Sequence, residues 1–236
     1  MNKENEFISH ELKNALNMMM ASCTMAQKHI DDRERVLDYL NTINMTVNKM
    51  AEMIDSAFNA GQKNNESKVL NQIGFTIDAL EKEVKDLLTP LAMEKDMKFI
   101  VSTEKFKTRD VFGDYGRLLQ VIVNLAINSI KYTHYGGVVM LRFEEEVSRD
   151  DRETTGVFIC SDNGIGISEE FLEHIFEPYA RSNDVRTKKI AGTGLGMSIV
   201  KENIDAMGGS IHIESSVNVG TRVTIRLRLK KNTGKG

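Results

Sequence analysis

The sequence predicts an α + α/β chain: a helical hairpin at the N-terminus, then an α/β layer sandwich built on a mixed sheet. Three observations carry that expectation. Residues 1 to about 62 contain no proline and one glycine, Gly61, with apolar residues at helical spacing. A polar, aperiodic stretch, Lys63-Asn64-Asn65-Glu66-Ser67, follows and reads as a linker. Beyond it, short apolar runs of strand character alternate with helical periodicity, as in a layered α/β domain. The expected domains are therefore 1–67, linker included, and 68–236.

In the first domain, Val36, Leu40, Ile43, Val47, Met50, Ile54 and Ala57 are separated by gaps that alternate between four and three, a heptad seam. The preceding helix offers Ile8, Leu12, Ala15 and Met19 with the same alternation. Between them the polar run His29–Glu34 turns the chain, with Asp31 or Asp32 as N-cap of the second helix. A lone hairpin leaves such stripes half covered, whereas two hairpins close into a four-helix bundle, so a homodimer is expected. The nine residues before His10 already look helical, and the N-terminus reads as a cut through a longer helix.

In the second domain a helix is expected over about 75–94, with Pro90 bending or breaking it near its end. Strands are expected at 97–102, 138–145 and 156–161, and helices at 115–132, 168–175 and 195–207. Two late strands are clearer. Ile211 and Ile213 flank His212, and Val223, Ile225, Leu227 and Leu229 alternate with Arg222, Thr224, Arg226 and Arg228.

The totals narrow the function classes. The 236 residues are 41% hydrophobic and 28% charged, with net charge -3 and pI near 6.0, which gives no reason to expect nucleic acid or an anionic membrane as partner. No apolar run is long enough to span a bilayer and no signal peptide opens the chain, so a membrane attachment would lie outside this segment. Cys23 and Cys160 are far apart and each sits among apolar neighbours, which suggests buried, reduced thiols in a cytosolic chain.

Four residue groups carry chemistry. Asp162-Asn163-Gly164-Ile165-Gly166 follows an apolar strand and places a carboxylate beside backbone that a ligand can approach closely. A plain tight turn would use the same residues. Gly192-Thr193-Gly194-Leu195-Gly196 opens a helix, where backbone N–H groups and the helix dipole favour a phosphate. It lacks the Gly-Lys-Ser/Thr ending of a P-loop and the βαβ setting of a dinucleotide fold. Asn124, Asn128 and Lys131 share one helix face. Asparagine is a mediocre helix former, an amide oxygen can ligate Mg²⁺, and a lysine can meet phosphate. A solvated polar face is the plainer reading of each taken singly. His10-Glu11-Leu12 places a histidine opposite the apolar seam, where Glu11 can hold one imidazole tautomer and leave the other nitrogen nucleophilic.

These groups, in this order, resemble the sensor histidine kinases over nearly the whole chain. Phe7-Ile8-Ser9-His10-Glu11-Leu12 looks like the H-box, Asn124 to Tyr132 the N-box, and Asp162 to Gly166 the G1 box. Phe176-Glu177-Pro178-Tyr179 looks like the F-box and Gly192 to Gly196 the G2 box. The stretch around His29–Val36 also resembles hybrid kinases of gut anaerobes, in which receiver domains often follow. The resemblance implies a dimerisation and phosphotransfer domain followed by an ATP-binding domain of the gyrase/histidine-kinase type, using ATP and Mg²⁺. It implies autophosphorylation on His10, transfer to an aspartate of a response-regulator receiver domain, and phosphatase action on that regulator. His10 would be the acceptor, Glu11 its acid/base partner and Asn14 the group that positions water. Asn128 would ligate Mg²⁺ with Asn124 nearby, Lys131 and Tyr132 would contact phosphates and nucleotide, and Asp162 would bond the adenine amino group. Residues 180–193 would form a lid, with Arg181 on the γ-phosphate and Lys188 and Lys189 as further phosphate contacts. Thr221 would lie near the adenine. One departure stands out. The family's H-box usually has proline five residues after the histidine, where this chain has Ala15, so the helix can run straight through.

Two rivals remain at this level. ATPases of the same superfold carry a glutamate four residues before the metal-binding asparagine, but that position is Asn124, a poor general base. A dimeric scaffold with a decayed kinase domain is opposed by the intact asparagines, Asp162 and both glycine runs.

Overall fold

The computed structural model describes residues 3–32, 70–146, 151–178, 180 and 196–232, together with Val36, Tyr39, Ile43, Thr46 and Met50; for residues 3–11 the description covers the backbone alone. The chain divides into two compact units, 1–69 and 70–236.

In the first unit, α1 spans Lys3–Lys28 without interruption, so the helix does run straight through Ala15. Ala15 and Ser22 are buried while Leu12, Met19 and Ala26 are half-buried, an alternation of three and four that leaves one covered stripe. The turn follows at His29–Asp31. Beyond it Val36, Tyr39, Ile43, Thr46 and Met50 are helical and at least half-buried. The His29 and Tyr39 rings stack with centroids 6.2 Å apart, and Thr46 Oγ1 donates to Met18 Sδ at 3.7 Å. The seam positions Leu40, Val47, Ile54 and Ala57, and the linker at 63–67, lie outside the described residues. Cys23 is exposed, contrary to expectation, because it follows Ser22 and so falls off the buried stripe.

The second unit is a two-layer α/β structure around a seven-stranded mixed sheet. Its strands are β1 (Gln72–Thr76), β2 (Lys98–Lys105), β3 (Asp110–Asp114), β4 (Val138–Glu146), β5 (Glu153–Asp162), β6 (Ser210–Ser216) and β7 (Gly220–Lys231). Its helices are α2 (Ile77–Met93), α3 (Tyr115–Tyr132), the single turn α4 (Glu169–Leu172) and α5 (Gly196–Ala206). The sheet order is β1-β3-β7-β5-β4-β2, with β6 also on β7, and β2–β4 is the parallel pair. One core joins α2, α3 and α5 to one face of the sheet. Along β7, Val223, Ile225, Leu227 and Leu229 are buried, and Arg222, Arg226 and Arg228 point to solvent, as the alternation predicts.

Several boundaries differ from expectation. β1 and β3 were not expected: each is five residues long and carries a glycine, Gly74 or Gly113, that weakens the strand signal. The helix expected from residue 75 starts at Ile77, because Thr76 takes up extended geometry and caps it, accepting from Ala79 N at 3.0 Å. α2 continues through Pro90 to Met93 rather than breaking there. The helix expected over 168–175 is one turn capped by Ser168.

Candidate active site

The site residues of the second unit collect where α3 ends beside the C-terminal end of β5 and the start of β7. Asp162 is the last residue of β5 and pairs with Thr221 across the antiparallel ladder. Its Oδ1 accepts from the backbone N–H of Gly164 at 3.0 Å and of Thr221 at 3.3 Å. Its Oδ2 accepts from Ser129 Oγ at 2.7 Å. Burial pushes the Asp162 carboxyl above its ordinary range, and these three hydrogen bonds oppose the rise. An oxygen with two lone-pair directions, one of them filled, leaves Oδ2 able to accept one further N–H.

The glycines of this turn are required by close backbone approach. A Cβ on Gly164 would lie 2.5 Å from the Tyr132 carbonyl oxygen, and one on Gly166 would lie 2.0 Å from that of Ser216. Gly166 also has φ +66. The strand-end carboxylate is thus locked between α3 and the β6–β7 hairpin. Ile165 N donates to Tyr132 O at 3.1 Å, Asn218 N to Ile165 O at 2.8 Å, and Ile167 N to Ser215 Oγ at 2.9 Å.

On α3, Asn124 and Asn128 are half-buried and Lys131 is exposed. A Cβ placed on Gly196, the first residue of α5, would stand 3.7 Å from Asn128 Nδ2 and 3.9 Å from Asn124 Oδ1. The paired amides therefore face the head of the helix that the second glycine run opens. Arg181, Lys188 and Lys189, the remaining glycine-run residues Gly192, Thr193, Gly194 and Leu195, and Tyr179 of the F-box lie outside the described residues. So do the side chains of His10 and Glu11, whose backbone belongs to α1, where Asn14 is exposed.

Four contributors escaped the sequence reading. Ser129 bonds Asp162 and lies 3.3 Å from the Cys160 thiol, which burial pushes up to about 12 and so keeps neutral. Ser215 Oγ lies 2.8 Å from Thr221 Oγ1 and donates to Gly220 O at 3.0 Å. Gly220 holds φ +131, with a hypothetical Cβ 2.1 Å from Asp162 O. A glycine between two alternating strands was a legible signal for that turn. Lys95 Nζ donates to the carbonyls of Ile130, Lys131 and Thr133 at 2.8–3.1 Å, closing the C-terminal end of α3, and nothing in its local sequence announced it.

Chemically, these groups present an anionic acceptor for one N–H, two amides beside a helix head, and an exposed cation. The family model for the Histidine kinase-, DNA gyrase B-, and HSP90-like ATPases matches residues 113–231, half of the chain, including Asn124, Asn128 and Asp162. The chain belongs to that family. Its second unit is an ATP-binding domain of that kind, and the resemblance to sensor histidine kinases read from the five boxes is borne out by its relatives. The chain is 29% identical over 224 residues to the sensor histidine kinase GacS of Pseudomonas protegens, covering 95% of this chain and 24% of GacS. It is 26% identical over 224 residues to the autoinducer 2 sensor kinase/phosphatase LuxQ of Vibrio cholerae, covering 94% and 26%. This ATPase-family chain thus spans about a quarter of the length of those relatives. Full-length ShkA, solved with AMPPNP, shares its fold with TM-score 0.68 at 20% identity, covering 96% of this chain and 46% of ShkA. The histidine kinase ThkA, solved with the response regulator TrrA, does so with TM-score 0.59 at 24% identity, covering 100% and 63%. Among the described residues no helix is long and apolar enough to cross a membrane.

Proposed function

We propose that this segment is the catalytic core of a two-component sensor kinase, which binds ATP with Mg²⁺ in its second unit and phosphorylates itself on His10. The observation that carries the reading is Asp162, a half-buried carboxylate fixed by Ser129, Gly164 and Thr221 with one lone pair left for a donor such as the adenine amino group. The amide pair Asn124 and Asn128 opposite Gly196 suits Mg²⁺ and phosphate. Asn128 would hold the cation, whose charge would neutralise the phosphates, and Lys131, Tyr132, Arg181 and Lys188 would contact the nucleotide beneath a lid formed by 180–193. Phosphoryl transfer needs an in-line nucleophile and neutralised charge rather than covalent assistance. A nitrogen of His10 would attack the γ-phosphorus, forming N–P as the bond to the β-phosphate oxygen breaks and ADP leaves. The imidazole proton would pass to Glu11.

The first unit would serve as the dimerisation and phosphotransfer domain. The stacking of His29 on Tyr39 and the Thr46–Met18 hydrogen bond fit two antiparallel helices, and pairing two such hairpins in a homodimer would cover the remaining apolar residues. ThkA was solved with a response regulator, which fits onward transfer to the aspartate of such a receiver domain. Asn14 would position water if the segment also removes phosphate from that regulator, as the name of LuxQ suggests for that protein.

Incubation with γ-labelled ATP tests the reading. Acid-labile, base-stable label should appear on His10 and vanish in His10→Gln, with nucleotide affinity unchanged, because the two sites lie in different units. Label retained in His10→Gln would identify another acceptor. ATP hydrolysis with no labelled protein would favour the ATPase reading.

A further inference from the structure

The helix that opens at Gly196 is short and thinly buried. Of the 11 residues of α5, Val200, Asn203 and Ile204 are buried. Two are apolar, and the third is an amide at 5% exposure. Apolar contact is non-directional: it resists separation of two helices more than sliding of one along the other. Asn203 supplies direction. Its Oδ1 accepts from Arg117 Nη1 at 2.8 Å and its Nδ2 donates to Gln120 Oε1 at 3.0 Å. Arg117 is itself held by Asp114, whose Oδ2 lies 3.3 Å from Arg117 Nε and whose Oδ1 caps α3 through Arg117 N at 3.1 Å. Asp114 Oδ2 also accepts from Asn71 N at 3.1 Å.

The spacing along the two helices matches. Gly196, seven residues before Asn203, faces Asn124 and Asn128, which lie seven and eight residues after Arg117 and Gln120. At 1.5 Å per residue, either interval is about 10–12 Å. α3 and α5 therefore run antiparallel with two registered contacts, a polar lock at one end and the amide pair at the other.

We propose that Asn203 is a positioning residue for the phosphate end of the nucleotide site. By fastening α5 to Arg117 and Gln120, it fixes Gly196 at the head of α5 relative to Asn124 and Asn128. The inference rests on the ATP reading of that site. A slip of one helical turn, about 5.4 Å, would carry Gly196 away from both amides. Asn124 and Asn128 are the groups suited to Mg²⁺ and phosphate, so the placement of Gly196 against them governs the triphosphate more than the base.

The test uses the full 236-residue chain, with AMP-PNP and AMP in the presence of Mg²⁺ competing against a fluorescent ATP analogue. Asn203→Leu keeps the branched shape at a larger volume and removes both hydrogen bonds. AMP-PNP should bind about tenfold or more weakly, while AMP affinity stays within about twofold of native. Asn203→Asp should restore AMP-PNP affinity to within about threefold, because a carboxylate keeps Arg117 and Gln120 can turn its amide to donate. Gln120→Leu, at an exposed position, removes one hydrogen bond without threatening the fold and should show the same selective loss at about threefold. If Asn203→Leu does not fold, Gln120→Leu decides. Equal weakening of AMP-PNP and AMP, absence of any selective loss, or failure of Asn203→Asp to rescue overturns the proposal. A native chain that binds neither nucleotide overturns the ATP reading instead.

Discussion

Replacing Asp162 by asparagine changes one atom and reverses one hydrogen-bonding role. In the native site Oδ1 lies under the N–H groups of Gly164 and Thr221, and Oδ2 takes the Ser129 hydroxyl. An asparagine that keeps its oxygen under the two N–H groups must place its NH₂ where Oδ2 stood. Ser129 can rotate to accept one of the new hydrogens, and the other then faces the ligand and opposes the adenine amino group. What is lost is a hydrogen bond to a charged acceptor, about 1.5–3 kcal/mol, or roughly 10- to 150-fold in Kd for ATP. Guanine presents an oxygen at the corresponding position, so the preference for ATP over GTP should fall at least as far. Calorimetry with non-hydrolysable ATP and GTP analogues gives both quantities on one preparation. The protein's own hydrogen bonds survive the change, so the melting temperature should stay close to native. An Asp162→Asn chain that melts normally and binds ATP with native affinity would refute base reading by this carboxylate.

Three further outcomes follow from the same geometry. Ser129→Ala removes the side-chain hydrogen bond that opposes the upward pull of burial on Asp162, so its pKa should climb further. A protonated Asp162 is a neutral and weaker acceptor for the adenine N–H, so the pH at which ATP affinity falls should move upward; titrations over about pH 4 to 8 read it, and an unmoved profile counts against the role of Ser129. For stability the sign is that of a raised carboxyl. Asp162 stabilises the fold fully below its unfolded pKa and loses that contribution as pH rises through the folded value, and Ser129→Ala carries the loss to higher pH. Gly166→Ala should destabilise the second unit by about 1–3 kcal/mol or more in denaturant titration, since φ is +66 and the new methyl would meet Ser216 O at 2.0 Å. Lys95→Met strips three carbonyls at the end of α3 of their cap and should cost about 1–2 kcal/mol, with a parallel loss of ATP affinity; native stability would show that the cap contributes nothing.

What the sequence made legible depended on whether a signal was local. α3 spans Tyr115–Tyr132, as expected, because its 18 residues carry an unbroken helical period behind an Asp114 N-cap. β7 was legible because one of its faces is buried and the other solvated. β1 and β3 were not, because each is short and gains its place through the pairing Gln72–Thr76 with Asp110–Asp114, which is invisible in either segment alone. Asp162, Asn124 and Asn128 stood out by residue type and spacing. Ser129 did not, because a small polar residue facing a sheet reads like any core serine, and its partner lies 33 positions away. Cys23 misled for the opposite reason. The stretch around it is rich in methionine, but Met18, Met20 and Met25 are exposed with it, and on a helix burial follows the face rather than the composition of the stretch.

The setting of the Asp162 carboxylate is a consequence of sheet packing. Asp162 pairs with Thr221, and Thr221 pairs on its other side with Ser215, so three neighbouring strands supply the carboxylate, one of its N–H donors and the hydroxyl that closes the hairpin. A slip of one residue in β7 would turn the Thr221 N–H from the carboxylate, because successive N–H groups of a strand point opposite ways. The same slip would bring Arg222, Arg226 and Arg228 into the core in place of Val223, Leu227 and Leu229. Burying even one unpaired guanidinium costs several kcal/mol. The alternation that buries the apolar face of β7 therefore also fixes the N–H that aims Asp162, and Gly220 is the residue that lets the strand begin this close to it, where any Cβ would strike the Asp162 carbonyl oxygen.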